Sequence, residues 1–76
     1  MRRSPLEIKT DILNLTIHPR IKTRIVYLCN LNFILVEKYL SRLISKGLIT
    51  KSDRYYKTTD KGLTALESAQ ISLSLF

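Results

Sequence analysis

Three observations predict a small α+β fold, mainly helical. Two amphipathic stretches separated only by Asn30-Leu31-Asn32 read as consecutive helices. After Gly47 the chain turns to β-branched and aromatic residues in two short runs around the polar Ser52-Asp53-Arg54, as a hairpin requires. From Asp60 an apolar stripe at helical spacing resumes. The predicted order is helix, short strand, helix, helix, β-hairpin, C-terminal helix, in one domain spanning residues 1–76.

The first helix starts at Ser4-Pro5-Leu6-Glu7, where Ser4 caps, Pro5 takes the first helical position and Glu7 completes a capping box. It runs to about Thr16, with Ile8, Ile12, Leu13 and Leu15 inward and Lys9, Asp11 and Asn14 outward. Residues 1–3 before it form a short basic arm. His18-Pro19 forbids a continuous helix, and Ile21 between Arg20 and Lys22 fits a short extended piece. Thr23 is a plausible cap for the second helix, which runs to Cys29 with Ile25, Val26, Leu28 and Cys29 as its apolar residues. Asn30 tolerates a left-handed backbone, and Leu31 can plug the core.

Asn32 to Gly47 is the longest well-delimited helix. Asn32 caps its first turn, and Gly47 suits the left-handed position beyond its last. Leu35, Val36, Tyr39, Leu40, Leu43 and Ile44 form the buried stripe, while Phe33, Glu37, Lys38, Ser41, Arg42 and Ser45 lie on the other side. A helix of about 14 residues is roughly 21 Å long, enough to lie in a major groove roughly 12 Å wide. Helix, short turn and longer capped helix make a helix-turn-helix pattern.

In the hairpin that follows, Ile49 and Tyr56 point to the core, and Lys51, Arg54, Tyr55 and Lys57 point away or sit at the tip. Thr59 caps the last helix, with Asp60 at the positive end of its dipole. Leu63, Leu66, Ala69 and Leu73 continue its apolar side. Leu66, Ala69, Leu73 and Phe76 keep a three-then-four spacing, so the C-terminal helix and tail, residues 60–76, are expected to join two copies of the chain. A chain this short buries only about 60% of its unfolded surface, so a partner subunit would add stability.

Charge narrows the class of partner. The net charge is +7, from 13 Lys and Arg against 6 Asp and Glu. This excess favours a polyanion, nucleic acid before an anionic membrane. No apolar run approaches the roughly 20 residues that span a bilayer, and the N-terminus does not read as a secretory signal. The single Cys29 excludes an internal disulfide, suits a reducing interior and reads as a buried small hydrophobe. The single His18 has no ligand partners at metal spacing. Neither a phosphate-cradling Gly loop nor paired carboxylates suggest an enzyme, and no cofactor or metal is expected.

The chain resembles winged helix-turn-helix proteins, and more particularly small archaeal members that include crenarchaeal chromatin-type DNA-binding dimers. The resemblance covers about Leu6 to Leu66. It is carried by Lys22-Thr23-Arg24-Ile25, Asn30-Leu31, Tyr39-Leu40, Leu43, Gly47-Leu48-Ile49, Tyr56 and Thr59-Asp60-Lys61-Gly62. It implies a cytoplasmic, nucleoid-associated protein that binds double-stranded DNA as a homodimer through its C-terminal helix, although this last helix is too short for a long antiparallel rod. A regulator or a chromatin-type protein fits equally. A winged-helix docking module without DNA binding is the alternative.

The expected interface has Asn32, Phe33, Lys38, Ser41 and Arg42 on the outer side of the third helix. Ser41 and Arg42 are best placed for base edges, and Lys38 for phosphate. Lys22, Thr23 and Arg24 grip the backbone, and Lys51, Arg54, Tyr55 and Lys57 touch DNA through the wing. Glu37 opposes this unless it pairs with Arg42 or accepts from a cytosine amine.

Overall fold

The computed structural model describes the backbone of residues 4–74 and the side chains of residues 4–68. The elements are α1 (Pro5–Leu15), β1 (Arg20–Ile21), α2 (Lys22–Cys29), α3 (Phe33–Ser45), β2 (Ile49–Ser52), β3 (Tyr55–Thr58) and α4 (Asp60–Ser74). This is the predicted order of helices and strands. The basic arm at residues 1–3 lies outside the described residues.

Local chemistry sets most of the boundaries. The Ser4 side chain accepts from the Glu7 backbone N–H at 3.2 Å, and Pro5 opens α1. The reciprocal half of the box takes another form: the Glu7 carboxylate accepts from the Ser4 hydroxyl at 3.3 Å. Asn32 caps α3 through its side-chain oxygen, 2.7 Å from the Leu35 N–H. Thr23, by contrast, is not a cap. Helix α2 begins at Lys22, so the cap position falls two residues before Thr23, at Ile21, which has no side-chain bond to give. Strand β1 delivers the chain straight into the helix, because Arg20 and Ile21 pair with Tyr56 and Tyr55 of β3.

Helices α2 and α3 end in the same way. Asn30 adopts φ 55°, with its N–H bonded to the Tyr27 carbonyl and the Leu31 N–H bonded to that of Val26. Gly47 adopts φ 75°, and the bonds run from Gly47 to Ile44 and from Leu48 to Leu43. Both are left-handed terminations that satisfy the last carbonyls of a helix. In each, the apolar residue that follows, Leu31 or Leu48, packs against the core.

The sheet is antiparallel in the order β1-β3-β2. Ile49 pairs with Thr58 and Ser52 with Tyr55, so Asp53 and Arg54 alone make the turn. Asp53 takes φ 56°, a left-handed value that its short polar side chain tolerates.

The core gathers Ile8, Ile12 and Leu13 of α1, Ile25 and Cys29 of α2, and Val36, Tyr39, Leu40 and Leu43 of α3. Ile49, Tyr56 and Leu66 complete it from β2, β3 and α4. Some expected core positions differ, and Val26 and Leu35 are only half-buried. Leu28 is exposed, because the two turns of α2 turn Ile25 and Cys29 inward and rotate their neighbour out. Ile44, at the margin of the α3 stripe, is also exposed, and Leu15 is half-buried. Leu63 is exposed because Gly62 sets the rotation of α4. A Cβ at Gly62 would lie 2.2 Å from the Leu48 carbonyl oxygen, so only glycine lets α4 come this close. That rotation turns Leu66 inward, where it is 5% exposed.

A polar knot in the interior ties α1 to the wing. The Thr58 hydroxyl donates to the Leu13 carbonyl at 2.7 Å and stands 2.8 Å from the Thr16 hydroxyl. Thr16 also reaches the Ile12 carbonyl at 2.8 Å, and the Thr58 N–H bonds the Thr16 carbonyl at 2.7 Å. Both threonines are buried. Thr58→Val keeps the shape but removes a buried donor, and should cost about 1–3 kcal/mol of unfolding free energy by urea denaturation. Thr64→Val, which removes only an exposed hydroxyl contact to the Asp60 carbonyl, should stay within about 0.5 kcal/mol. Equal effects from the two would contradict this account of the knot.

Candidate nucleic-acid interface

Helix α3 presents its unburied side outward. With about 3.6 residues per turn, Ile34, Ser41 and Ser45 line its crest, directly opposite the buried Val36, Leu40 and Leu43. Phe33 and Glu37 occupy one flank. Arg42 occupies the other, with Lys38 between it and the crest. Asn32, Phe33, Lys38, Ser41 and Arg42 are all exposed. Ser41 is therefore on the crest and Arg42 on a flank of the helix.

The wing and the start of α2 close on the Phe33 flank. A cleft of about 330 Å³ is lined by Ile21, Lys22, Thr23, Phe33, Lys51, Arg54 and Tyr56. Five of the twelve residues expected to contact DNA meet there: Lys22, Thr23, Phe33, Lys51 and Arg54. The sheet register explains why Lys51 is among them. Lys51 lies directly opposite Tyr56, on the face that carries Ile49 into the core, so its side chain emerges at the inner edge of the wing. Its ammonium sits 5.6 Å from the centre of the Tyr56 ring, and the Arg54 guanidinium 5.9 Å from that of Tyr55. These cation–π contacts restrict where the two charges can go.

Alternation along β3 separates the rest of the wing. Tyr55 and Lys57 point to the other face of the sheet, where they line a shallow cavity of about 290 Å³ with Pro19, Thr50, Ser52 and Asp53. Arg24 is exposed on α2 but does not line the cleft.

Glu37 has a different partner from the one expected. Its carboxylate lies 3.3 Å from the Lys22 ammonium, with Glu37 well exposed and Lys22 half-buried. An exposed pair of this kind adds little to stability. Its consequence is electrostatic, because it ties up one of the three cations of the cleft.

The residue missed in the sequence is Ile34, 82% exposed at the first turn of α3. Its signal was available: an isoleucine on the polar line Ile34, Lys38, Ser41, Ser45, at spacings of four, three and four. Leu66, expected in a dimer seam, is buried in the chain's own core instead. The side chains of Ala69 and Leu73, and all of Phe76, lie outside the described residues. Among the described residues no His, Cys, Asp and Glu cluster could hold a metal ion, and no helix is long and apolar enough to cross a membrane.

The arrangement is a convex helix crest with cations on both flanks, Lys22, Lys51 and Arg54 on one and Lys38 and Arg42 on the other. It can receive a grooved polyanion whose two charged edges run along those flanks. A family model described as winged helix-turn-helix matches residues 2–74. An uncharacterized protein of Methanocaldococcus jannaschii is 37% identical over 62 residues. That stretch is 80% of this chain and 64% of the relative, so the chain spans less than two thirds of the relative's length.

Proposed function

The chain belongs to the winged helix-turn-helix family, and on that premise we propose that it binds duplex DNA by laying α3 in the major groove, as a transcription regulator or chromatin-type protein of the cytoplasm and nucleoid. The observation that carries this reading is the cleft in which Lys22, Lys51 and Arg54 converge beside Phe33. With the crest of α3 toward the base edges, that cluster meets one phosphate backbone and Lys38 and Arg42 meet the other. Thr23 and Arg24 extend the first contact along α2, Asn32 stands at the entry of the groove, and Tyr55 and Lys57 reach DNA only from the far face of the wing. Ser41 is the polar base reader. No enzymatic activity, cofactor or membrane partner belongs to this reading.

The proposal includes a homodimer. Ala69, Leu73 and Phe76 keep heptad-like spacing in the sequence, and Leu66 is left out of the contact because it completes the core. Light scattering should give twice the chain mass for the wild type and a monomer for Leu73→Asp. A monomeric wild type at micromolar concentration would remove the dimer from the proposal.

A docking module without DNA affinity is favoured by one observation, the exposure of Phe33 and Ile34. Titration of a random-sequence duplex at several salt concentrations separates the two. If Lys22, Lys38, Arg42, Lys51 and Arg54 each neutralise a phosphate, the logarithm of affinity falls with that of salt at a slope of about −4 to −5. Lys51→Ala with Arg54→Ala should weaken binding and reduce that slope by about 2. Glu37→Gln, which releases Lys22, should tighten binding. Absence of binding at low salt, or a slope unchanged by the double substitution, contradicts the proposal.

A further inference from the structure

Ile34 has no structural employment. It is 82% exposed on the first turn of α3 and opposite the buried stripe of that helix. Its neighbours on the outward side are Glu37 and Lys38, three and four residues on, with Ser41 and Arg42 a further turn along the helix. Phe33, 51% exposed, stands beside it at the mouth of the basic cleft. Exposed apolar groups with Lys38 and Arg42 on one side and the basic cleft on the other suit a surface that is anionic overall yet carries apolar groups at the bottom of a groove. In the major groove of DNA the thymine C5-methyl is such a group, and it is the feature that distinguishes thymine from uracil. The charges flanking the crest fit the phosphates on either side of the groove, so the polyanion and the methyl are met by one surface.

We propose that Ile34 is a specificity-determining residue that packs on thymine C5-methyl groups in the major groove, giving the protein a preference for thymine-containing DNA over the same sequence written with uracil. This rests on the duplex-DNA reading given above and adds what α3 reads there. Ile34 supplies contact without hydrogen-bond direction, so it selects for a methyl and leaves the wider sequence free.

The test compares an A·T-rich duplex with the same duplex in which every thymine is replaced by uracil, binding measured by fluorescence anisotropy at fixed salt to the wild type and Ile34→Ala. The wild type should bind the thymine duplex about fourfold more tightly per contacted methyl, the worth of one methyl-sized group removed from water. Ile34→Ala should bind both duplexes equally. Because Ile34 is exposed, the variant should keep the wild-type melting transition, and Lys38→Ala should weaken both duplexes while keeping their ratio. Equal wild-type affinity for the two duplexes overturns the inference and leaves DNA binding standing. A thymine preference that survives Ile34→Ala overturns the assignment to this residue. Failure to bind either duplex at low salt overturns the duplex-DNA reading, and this inference with it.

Discussion

The left-handed turn at Gly47, clamped by the start of α4, fixes the direction in which the wing leaves α3. The Thr59 hydroxyl donates to the Gly47 carbonyl at 2.6 Å, and the Thr59 N–H donates to the Leu48 carbonyl at 3.0 Å. The same hydroxyl accepts from the Gly62 N–H at 3.0 Å, so one side chain caps α4 and holds the end of α3. Gly62 then lets the α4 backbone approach Leu48 more closely than a side chain would allow. From this junction the chain enters β2 with Ile49 in the core, and the alternation of strand side chains brings Lys51 to the cleft. The angle between helix and wing, and so the cluster of cations, follows from a turn held by backbone and hydroxyl hydrogen bonds.

The Arg20 guanidinium donates to the Leu15 carbonyl at 3.1 Å and so holds the end of α1, whereas the charges around α3 act on this frame from its surface. The described salt bridge joins Lys22 to Glu37 across α2 and α3, and both groups retain access to solvent. Interior polar groups are instead satisfied by hydroxyls and backbone, as in the pairing of Thr16 with Thr58. Lys22, Lys38, Arg42, Lys51 and Arg54 are left flanking α3, where a polyanion can reach them, while Lys57 lies on the far face of the wing. This separation lets substitutions at Lys51 or Arg54 alter charge while leaving the core intact, which makes the interface testable independently of the fold.

Signals contained within a few residues were legible in the sequence. Ser4-Pro5, Asn32 and Thr59 announce helix starts, Asn30 and Gly47 announce left-handed ends, and the polar Ser52-Asp53-Arg54 announces the turn. Features that depend on elements meeting in space were not legible. Lys22 and Glu37 are fifteen positions apart and pair only because α2 crosses α3. The inward rotation of Leu66 depends on how closely Gly62 approaches Leu48, which helical periodicity does not encode. The division of the wing between Lys51 on one side and Tyr55 and Lys57 on the other follows from the strand register, and Arg54 reaches the cleft from the turn. Ile34 is a different case, since its place on the polar line of α3 was visible and only its exposure gave it meaning.

We propose that the crest of α3 and the cleft beside it form one DNA-facing surface. Titration of the isotope-labelled protein with a short duplex, followed through its backbone amide resonances, tests it most directly. The largest shifts are expected at Phe33, Ile34, Ser41 and Arg42 together with Lys22, Lys51 and Arg54, and small ones at Asp11, Asn14 and Leu28, which line a groove of about 330 Å³ between α1 and α2. Shifts concentrated in that groove, with the crest of α3 unmoved, would contradict it.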